Sequence, residues 1–484
     1  MYIGIDLGTS SVKVLLLSNE GQVIKTVSQK YDVLMPKPSW TEQNPQDWFK
    51  QTIIALKKIV GGFENEIKAI SFSGQMHGLV ILDKNDNVIR NALLWNDQRT
   101  TLEVEKLERE IGFKKILEET GNIVVTGLTA PKILWVYNNE PENFQKIAKI
   151  MLPKDYLAYK LSGVFATDIS DVSGTGYYDV ANKRYSSVML KALHITEEQL
   201  PVVYESSDKI GYLNEQLKKE LKLTRDVKII IGGGDQAVGA IGVGVVLDGD
   251  TSISLGTSGV VFKASNQFRI DTDSYMQSYL HANGKYHMIG VTLNTTGVLN
   301  WWNQKISNVF DYNVFFKKAL EANYQDNLYF LPYLSGERFP INDPQAQGVF
   351  IGLRQEQTKA NLDLAVIEGI TFNIKQIFEK VQKIGVKTTS IKVTGGGAKS
   401  NYWVQLLADI LNVKLNTILV EEGPALGAAI LAMVGDDLYL SLNEACQKIV
   451  KIKKEFIPNP IKVKYYQKKY EGYLKIYPIV KKLF

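Results

Sequence analysis

Residues 2–12 read Tyr2-Ile3-Gly4-Ile5-Asp6-Leu7-Gly8-Thr9-Ser10-Ser11-Val12, and residues 254–260 read Ser254-Leu255-Gly256-Thr257-Ser258-Gly259-Val260. Each stretch is an apolar run, a Leu-Gly-Thr-Ser turn and the start of a second apolar run. Aliphatic and β-branched residues around such a turn predict two strands in a tight hairpin. The first stretch extends into a meander, with strands over Tyr2–Leu7, Val12–Leu17 and Val23–Ser28 and a second turn at Asn19-Glu20-Gly21. One hairpin of this kind says little. Two of them, each opening one half of the chain, predict an internal duplication of one architecture.

Two more glycine clusters follow apolar strands. Val227–Ile231 runs into Gly232-Gly233-Gly234-Asp235 and then a helix of small residues over Ala237–Val246. Ser390–Val393 runs into Thr394-Gly395-Gly396-Gly397-Ala398, and Tyr402, Leu406, Leu407, Ile410 and Leu411 then keep helical spacing. The chain divides naturally near Leu247–Thr251. This gives an α/β first domain over residues 1–247 and a second over 248–435. Residues 436–484 read as a helical extension packed on the second domain.

The bulk properties agree with that division. A length of 484 residues suits two or three domains, and 45% apolar residues can fill sizeable cores. The single cysteine, Cys446, excludes an intrachain disulfide framework and fits a reducing, cytoplasmic setting. Asp6 and Lys13 interrupt the first apolar stretch, so it does not read as a signal peptide. No apolar run has the length of a membrane helix. The net charge of +5 sits in the tail, where eleven lysines from Lys448 onward face only Glu455 and Glu471. Those lysines alternate with Tyr, Ile and Val like the solvated face of a packed helix, so no nucleic-acid partner is expected.

Phosphate chemistry explains the glycine turns as a set. Glycine lets the backbone approach a phosphate closely, and Thr or Ser hydroxyls add donors. Two hairpin turns can clamp a triphosphate, and a third that leads a helix suits the nucleoside and α-phosphate. There is no Walker A sequence, since Gly284-Lys285 is followed by Tyr286. Gly232 to Ala237 meets a loose dinucleotide pattern, but Asp235 would set a carboxylate among amides meant for pyrophosphate. Four histidines, at 77, 194, 281 and 287, show no metal-ligand spacing. Phosphoryl transfer needs positioning, charge neutralisation and a base for the acceptor hydroxyl. Asp6, at a strand end beside a phosphate-type turn, is a candidate for holding hydrated magnesium. Asp235, beside the glycine triple, is a candidate for accepting the hydroxyl proton. Singly, each aspartate would read equally well as a turn cap.

With these pieces in order, the chain resembles the FGGY carbohydrate kinases from Met1 to about Gly435. The motifs are Tyr2 to Ser10; Ser73-Gly74-Gln75-Met76-His77-Gly78; Leu94-Trp95-Asn96-Asp97; Thr129-Ala130-Pro131-Lys132-Ile133-Leu134-Trp135; and Leu152-Pro153-Lys154-Asp155-Tyr156. Gly232 to Asp235, Ser254 to Gly259, Tyr333-Leu334-Ser335-Gly336-Glu337-Arg338, Gly348 to Leu353 and the Gly395 cluster complete the series. The resemblance implies two duplicated actin-like, ribonuclease-H-like domains flanking a catalytic cleft. The sugar would lie on the first-domain side and ATP with Mg2+ on the second. It implies Asp235 as catalytic base and Asp6 as the magnesium-linked carboxylate, with Asp235 also near the metal. Met76, His77, Trp95 and Asp235 would contact sugar. Thr9, Ser10, Lys13, Gly256, Thr257, Gly396, Gly397 and Asn401 would serve ATP. Cleft closure would exclude water from the transfer. A homodimer is compatible with the resemblance.

Members acting on xylulose match best, which implies phosphorylation of D-xylulose at its terminal hydroxyl. Members acting on glycerol usually carry Gln-Arg-Glu where this chain has Gln75-Met76-His77. Those acting on gluconate share Met-His, commonly without the preceding Gly-Gln. Two departures stand out: Gln236 where Asn usually follows the base, and Ser11 where Gly is frequent. The Gln236 departure leaves the exact sugar open, so another ketose, polyol or sugar acid remains the alternative. An actin-like ATPase that drives assembly would share the turns but has no use for the Gln75-Met76-His77 cluster. A catalytically silent sugar sensor would not need Asp6, Asp235 and both turns together.

Overall fold

In the computed structural model, residues 1–270, 276–323, 326–384 and 387–484 are described. Tyr2–Leu7 (β1), Ser11–Leu17 (β2) and Val23–Lys30 (β3) form the antiparallel meander. Every residue of β1 except Asp6 is buried. Ala69–Gly74 (β4) runs parallel to β1 and sets Ser73 beside Asp6. Lys209–Tyr212 (β5) is an antiparallel edge on Lys228–Ile230 (β6), and β6 runs parallel to β4. A two-residue strand, Gly233–Gly234 (β7), continues along β4 beyond β6. The sheet order is β5-β6-β4-β1-β2-β3.

The second half repeats the plan. Asp250–Leu255 (β8) and Gly259–Ser265 (β9) pair antiparallel around the second Gly-Thr-Ser turn. Gln277–Leu280 (β10) and Tyr286–Thr292 (β11) extend that side, and Ser390–Thr394 (β12) runs parallel to β8. Leu415–Ile418 (β13) is parallel to β12, and Ile452–Phe456 (β14) closes the edge antiparallel. The order is β10-β11-β9-β8-β12-β13-β14. Ser254 pairs with Thr394 just as Asp6 pairs with Ser73. The duplication read from the two turns is thus a repeated meander with two parallel strands and an antiparallel edge.

The halves are joined by two helices that cross. Asp235–Gly242 (α1) starts at the carboxylate itself and ends four residues before the expected Val246, because Val243 and Val245 leave the helix to meet the second sheet. Ala240, Val243 and Val245 pack there against Phe262, Ala264, Tyr279 and Ile289. Lys359–Ile384 (α2) and Asn401–Leu411 (α3) belong to the second core. Gly423–Gly435 (α4) lies instead on the first sheet, burying Ala425 to Met433 against Tyr2, Leu15, Leu17 and Ala69. The crossing leaves no room for side chains. A Cβ on Gly242 would lie 1.9 Å from the Gly423 oxygen, and one on Gly427 1.9 Å from the Val238 oxygen.

The tail is not purely helical. β14 is a strand with four of its five residues exposed, which hides it from a reading based on apolar alternation. Leu442–Ile449 (α5) packs on α4, and Pro460–Tyr473 (α6) on the second core. The rings of Tyr466, Tyr470 and Tyr473 lie 5.2–6.2 Å from Phe372 of α2. Lys469 leaves the lysine face to meet Glu368 at 2.5 Å in the interior. Among the described residues no helix is long and apolar enough to cross a membrane.

Candidate active site

Asp6 and Asp235 emerge at the same end of the first sheet, where its parallel strands finish. Asp6 is the penultimate residue of β1, and Asp235 follows β7, whose Gly233 lies across Ser73 from Asp6. Two strand spacings separate the rows, roughly 10 Å. Burial raises the Asp6 carboxyl to about 6, opposed by the Ser73 hydroxyl and Lys13. Burial, and then the charge of Asp6, raise Asp235 to about 7. The Gln236 amide donates to Asp235 Oδ1 at 3.3 Å and opposes the rise. A carboxylate poised near neutrality suits proton abstraction.

The Met76-His77 segment lies alongside. His77 has a φ of 66°, in the left-handed region. Its Nδ1 is 2.7 Å from the Gly174 carbonyl, which can only accept. The ring is neutral, pushed down to about 3 by burial and then by the charge of Lys132. Nδ1 therefore carries the proton and Nε2 is left as an acceptor. Met76 packs over Gly234, where a Cβ would meet its sulfur at 3.0 Å. Trp95, 44% exposed, donates from Nε1 to Thr9 Oγ1 at 3.0 Å. Trp95 and the first turn, which belong to separate motifs of the sequence, are bonded to each other.

The turns keep open surfaces. Ser10 and Thr257 are exposed, and the Gly256 and Thr257 carbonyls accept from the backbone amides of Thr296 and Gly297. Gly395 has a φ of 84° and touches the Leu255 backbone, so only glycine fits. Gly396 is exposed, with nothing within 4 Å of where a Cβ would stand, while Gly397 packs under Trp403. Asn401 is the exposed first residue of α3. Lys13 is held by Glu422, at 3.0 Å, just before α4. Trp302 is core, donating to Asp363 at 2.7 Å, and its neighbour Trp301 is 38% exposed.

The model of the FGGY carbohydrate kinase N-terminal domain matches residues 1–242, and that of the C-terminal domain matches residues 251–435. The chain belongs to the FGGY family of carbohydrate kinases. The xylulose kinase of Escherichia coli (strain K12) is 39% identical over 481 residues, covering 99% of this chain and 98% of that protein. The solved xylulose kinase of Brucella ovis superposes with a TM-score of 0.94 at 34% identity, over 100% of both chains. A gluconate kinase from Lactobacillus acidophilus superposes with a TM-score of 0.93 at 30% identity, over 99% of this chain and 97% of that one.

The FGGY scaffold also buries a charge cluster whose roles the motifs did not reveal. Lys154 contacts Asp155 at 2.5 Å, Asp168 at 3.1 Å and Asp171 at 4.0 Å, all fully buried. Burial opposes its charge, yet the three carboxylates hold it protonated. Asp168 accepts from the Ser170 hydroxyl at 2.6 Å, and that hydroxyl accepts the Gly234 amide at 3.1 Å. The cluster thus fixes the backbone that presents Asp235. The Lys-Asp of the Leu152 to Tyr156 motif was the only trace of it in the sequence.

Proposed function

We propose that this carbohydrate kinase transfers the γ-phosphoryl group of ATP to D-xylulose, giving D-xylulose 5-phosphate and ADP. Asp235 is the general base. The observation that carries this reading is its carboxylate, raised to about 7 at the end of the parallel strands, next to Gly234 under Met76 and within the field of Asp6. Near neutral pH such a group is ionised often enough to take a hydroxyl proton and basic enough to hold it. Met76, His77 and Trp95 bind the sugar, with His77 Nε2 accepting from a hydroxyl. Thr9, Ser10, Lys13, Gly256, Thr257, Gly396, Gly397 and Asn401 serve the nucleotide.

Two carboxylates that repel each other are a donor set suited to a hydrated magnesium ion, which takes one or two carboxylates beside phosphate oxygens. Asp6, with Asp235 at its side, would hold that ion, and it would supply charge neutralisation. Residues 1–247 would form the sugar-side domain, 248–435 the nucleotide-side domain and 436–484 the extension. Closure between them favours the sugar hydroxyl over water as acceptor.

Gln236 and the likeness to a gluconate kinase favour a second reading, in which a sugar acid or another ketose is the acceptor. A coupled ADP-release assay with magnesium-ATP separates them. The panel is D-xylulose, D-ribulose, L-ribulose, gluconate, glycerol and no sugar. Preference for D-xylulose is expected. Preference for gluconate would move the substrate and keep the chemistry, and ATP hydrolysis indifferent to every sugar would overturn both.

A further inference from the structure

The second half carries polar groups, one of them beside His77, that the roles above leave unused. Tyr279 lies in β10, which is fastened to the first half. The Ser278 amide donates to Asn122 at 2.9 Å, Asn122 donates to the Ser278 carbonyl at 2.7 Å, and the Leu280 amide donates to Ser173 at 3.1 Å. These bonds bring the Tyr279 ring to 6.2 Å from that of His77. Tyr279 is 3% exposed, and among the described residues its hydroxyl has no hydrogen-bond partner. A buried hydroxyl left unpaired calls for an explanation, and a ligand that supplies the missing partner is one.

The second group is Arg338. Its neighbour Glu337 is buried and accepts from Thr292 Oγ1 at 2.5 Å, the Leu293 amide at 3.0 Å, Asn294 at 3.2 Å, Asn373 at 2.8 Å and the Arg338 amide at 2.8 Å. Thr292 pairs with Gly259, directly after the second Gly-Thr-Ser turn. Glu337 therefore bolts this segment to the nucleotide side of the cleft. Arg338 is itself partly buried, and among the described residues its guanidinium makes no hydrogen bond or ion pair. Its charge is felt by both pocket rings, against protonation of His77 and toward ionisation of Tyr279. A fork of five donors is seldom left idle in a partly dry site.

We propose that Arg338 and Tyr279, both from the second half, complete the acceptor pocket opposite His77, each bonding an oxygen of the bound polyhydroxy acceptor. The proposal rests on the sugar-kinase reading and adds that the acceptor is held from both sides of the cleft. Arg338→Met and Tyr279→Phe test it. For each, the KM of D-xylulose and of ATP would be measured with the melting temperature, together with D-xylulose binding to the nucleotide-free protein by calorimetry. The expected result is an acceptor KM and Kd raised about 10-fold or more for Arg338→Met and about 3-fold or more for Tyr279→Phe, the range for one lost hydrogen bond. The ATP KM and melting temperature should stay near wild type. Unchanged acceptor binding in both variants overturns the assignment and leaves the kinase reading intact. Failure of both to fold overturns it too, because the side chains would then be held by the fold itself. A wild-type protein that phosphorylates no sugar overturns the kinase reading and this proposal with it.

Discussion

The ammonium of Lys132 donates to the carbonyl oxygen of His77 at 2.8 Å and to that of Gly127 at 2.7 Å. This fully buried side chain, lowered to about 7 by burial, pins His77 in its left-handed conformation. Such a backbone geometry is unfavourable for a side chain unless its surroundings enforce it. Lys132→Met should release the segment and raise the acceptor KM about tenfold, with the ATP KM unchanged, as steady-state kinetics would show. An effect on both substrates alike would mean general unfolding.

The pH dependence follows from the base role proposed for Asp235. Only its ionised form can take a proton, so kcat/KM for the acceptor should rise with pH toward about 7 and level off above. Stability has the opposite sign. The folded protein keeps this proton up to about 7, whereas the unfolded chain loses it near 3.8. Folding stability therefore falls as pH climbs between those values. Asp235→Asn removes that penalty. Its melting temperature should exceed that of wild type above pH 7 and converge with it toward pH 4.

The helix crossing gives a prediction about stability. Gly427→Ala would push a methyl group into the Val238 carbonyl, where no side chain can yield. A loss of about 3 kcal/mol or more is expected in denaturant titration. A near-neutral effect would mean that α1 and α4 do not pack as described.

Lys13 and Glu422 lie on separate halves and are 39% and 32% exposed, so their pair contributes below about 1 kcal/mol to stability. Glu422→Gln should barely move the melting temperature. It should lower the ATP KM, because the freed Lys13 becomes available to phosphate. A raised ATP KM would assign Glu422 itself to nucleotide binding.

The features legible in the sequence were those carried by local chemistry. The Gly-Thr-Ser turns, the strand before Asp235 and the glycines of the Gly395 cluster each announce themselves within a few residues. The strands before the Gly-Thr-Ser turns are buried almost throughout, and Gly232 and Gly395 sit at positive φ. What could not be read depends on distant partners. Nothing near Lys13 indicates Glu422, nothing near Tyr279 indicates His77, and nothing near Lys154 indicates Asp168 and Asp171. β14 was missed because Lys453, Lys454 and Glu455 give an edge strand the look of a solvated tail. Trp95 is expected from its motif to contact sugar, and its bond to Thr9 crosses between motifs that lie far apart in the sequence.

The most direct test is Asp235→Ala assayed beside wild type for D-xylulose-dependent ADP release, with binding of a non-hydrolysable ATP analogue measured on both. Turnover should fall by at least about three orders of magnitude, within the range for loss of a positioned base, with analogue affinity within a few-fold of wild type. Turnover near the wild-type rate in a variant that still binds the analogue would contradict Asp235 as the base.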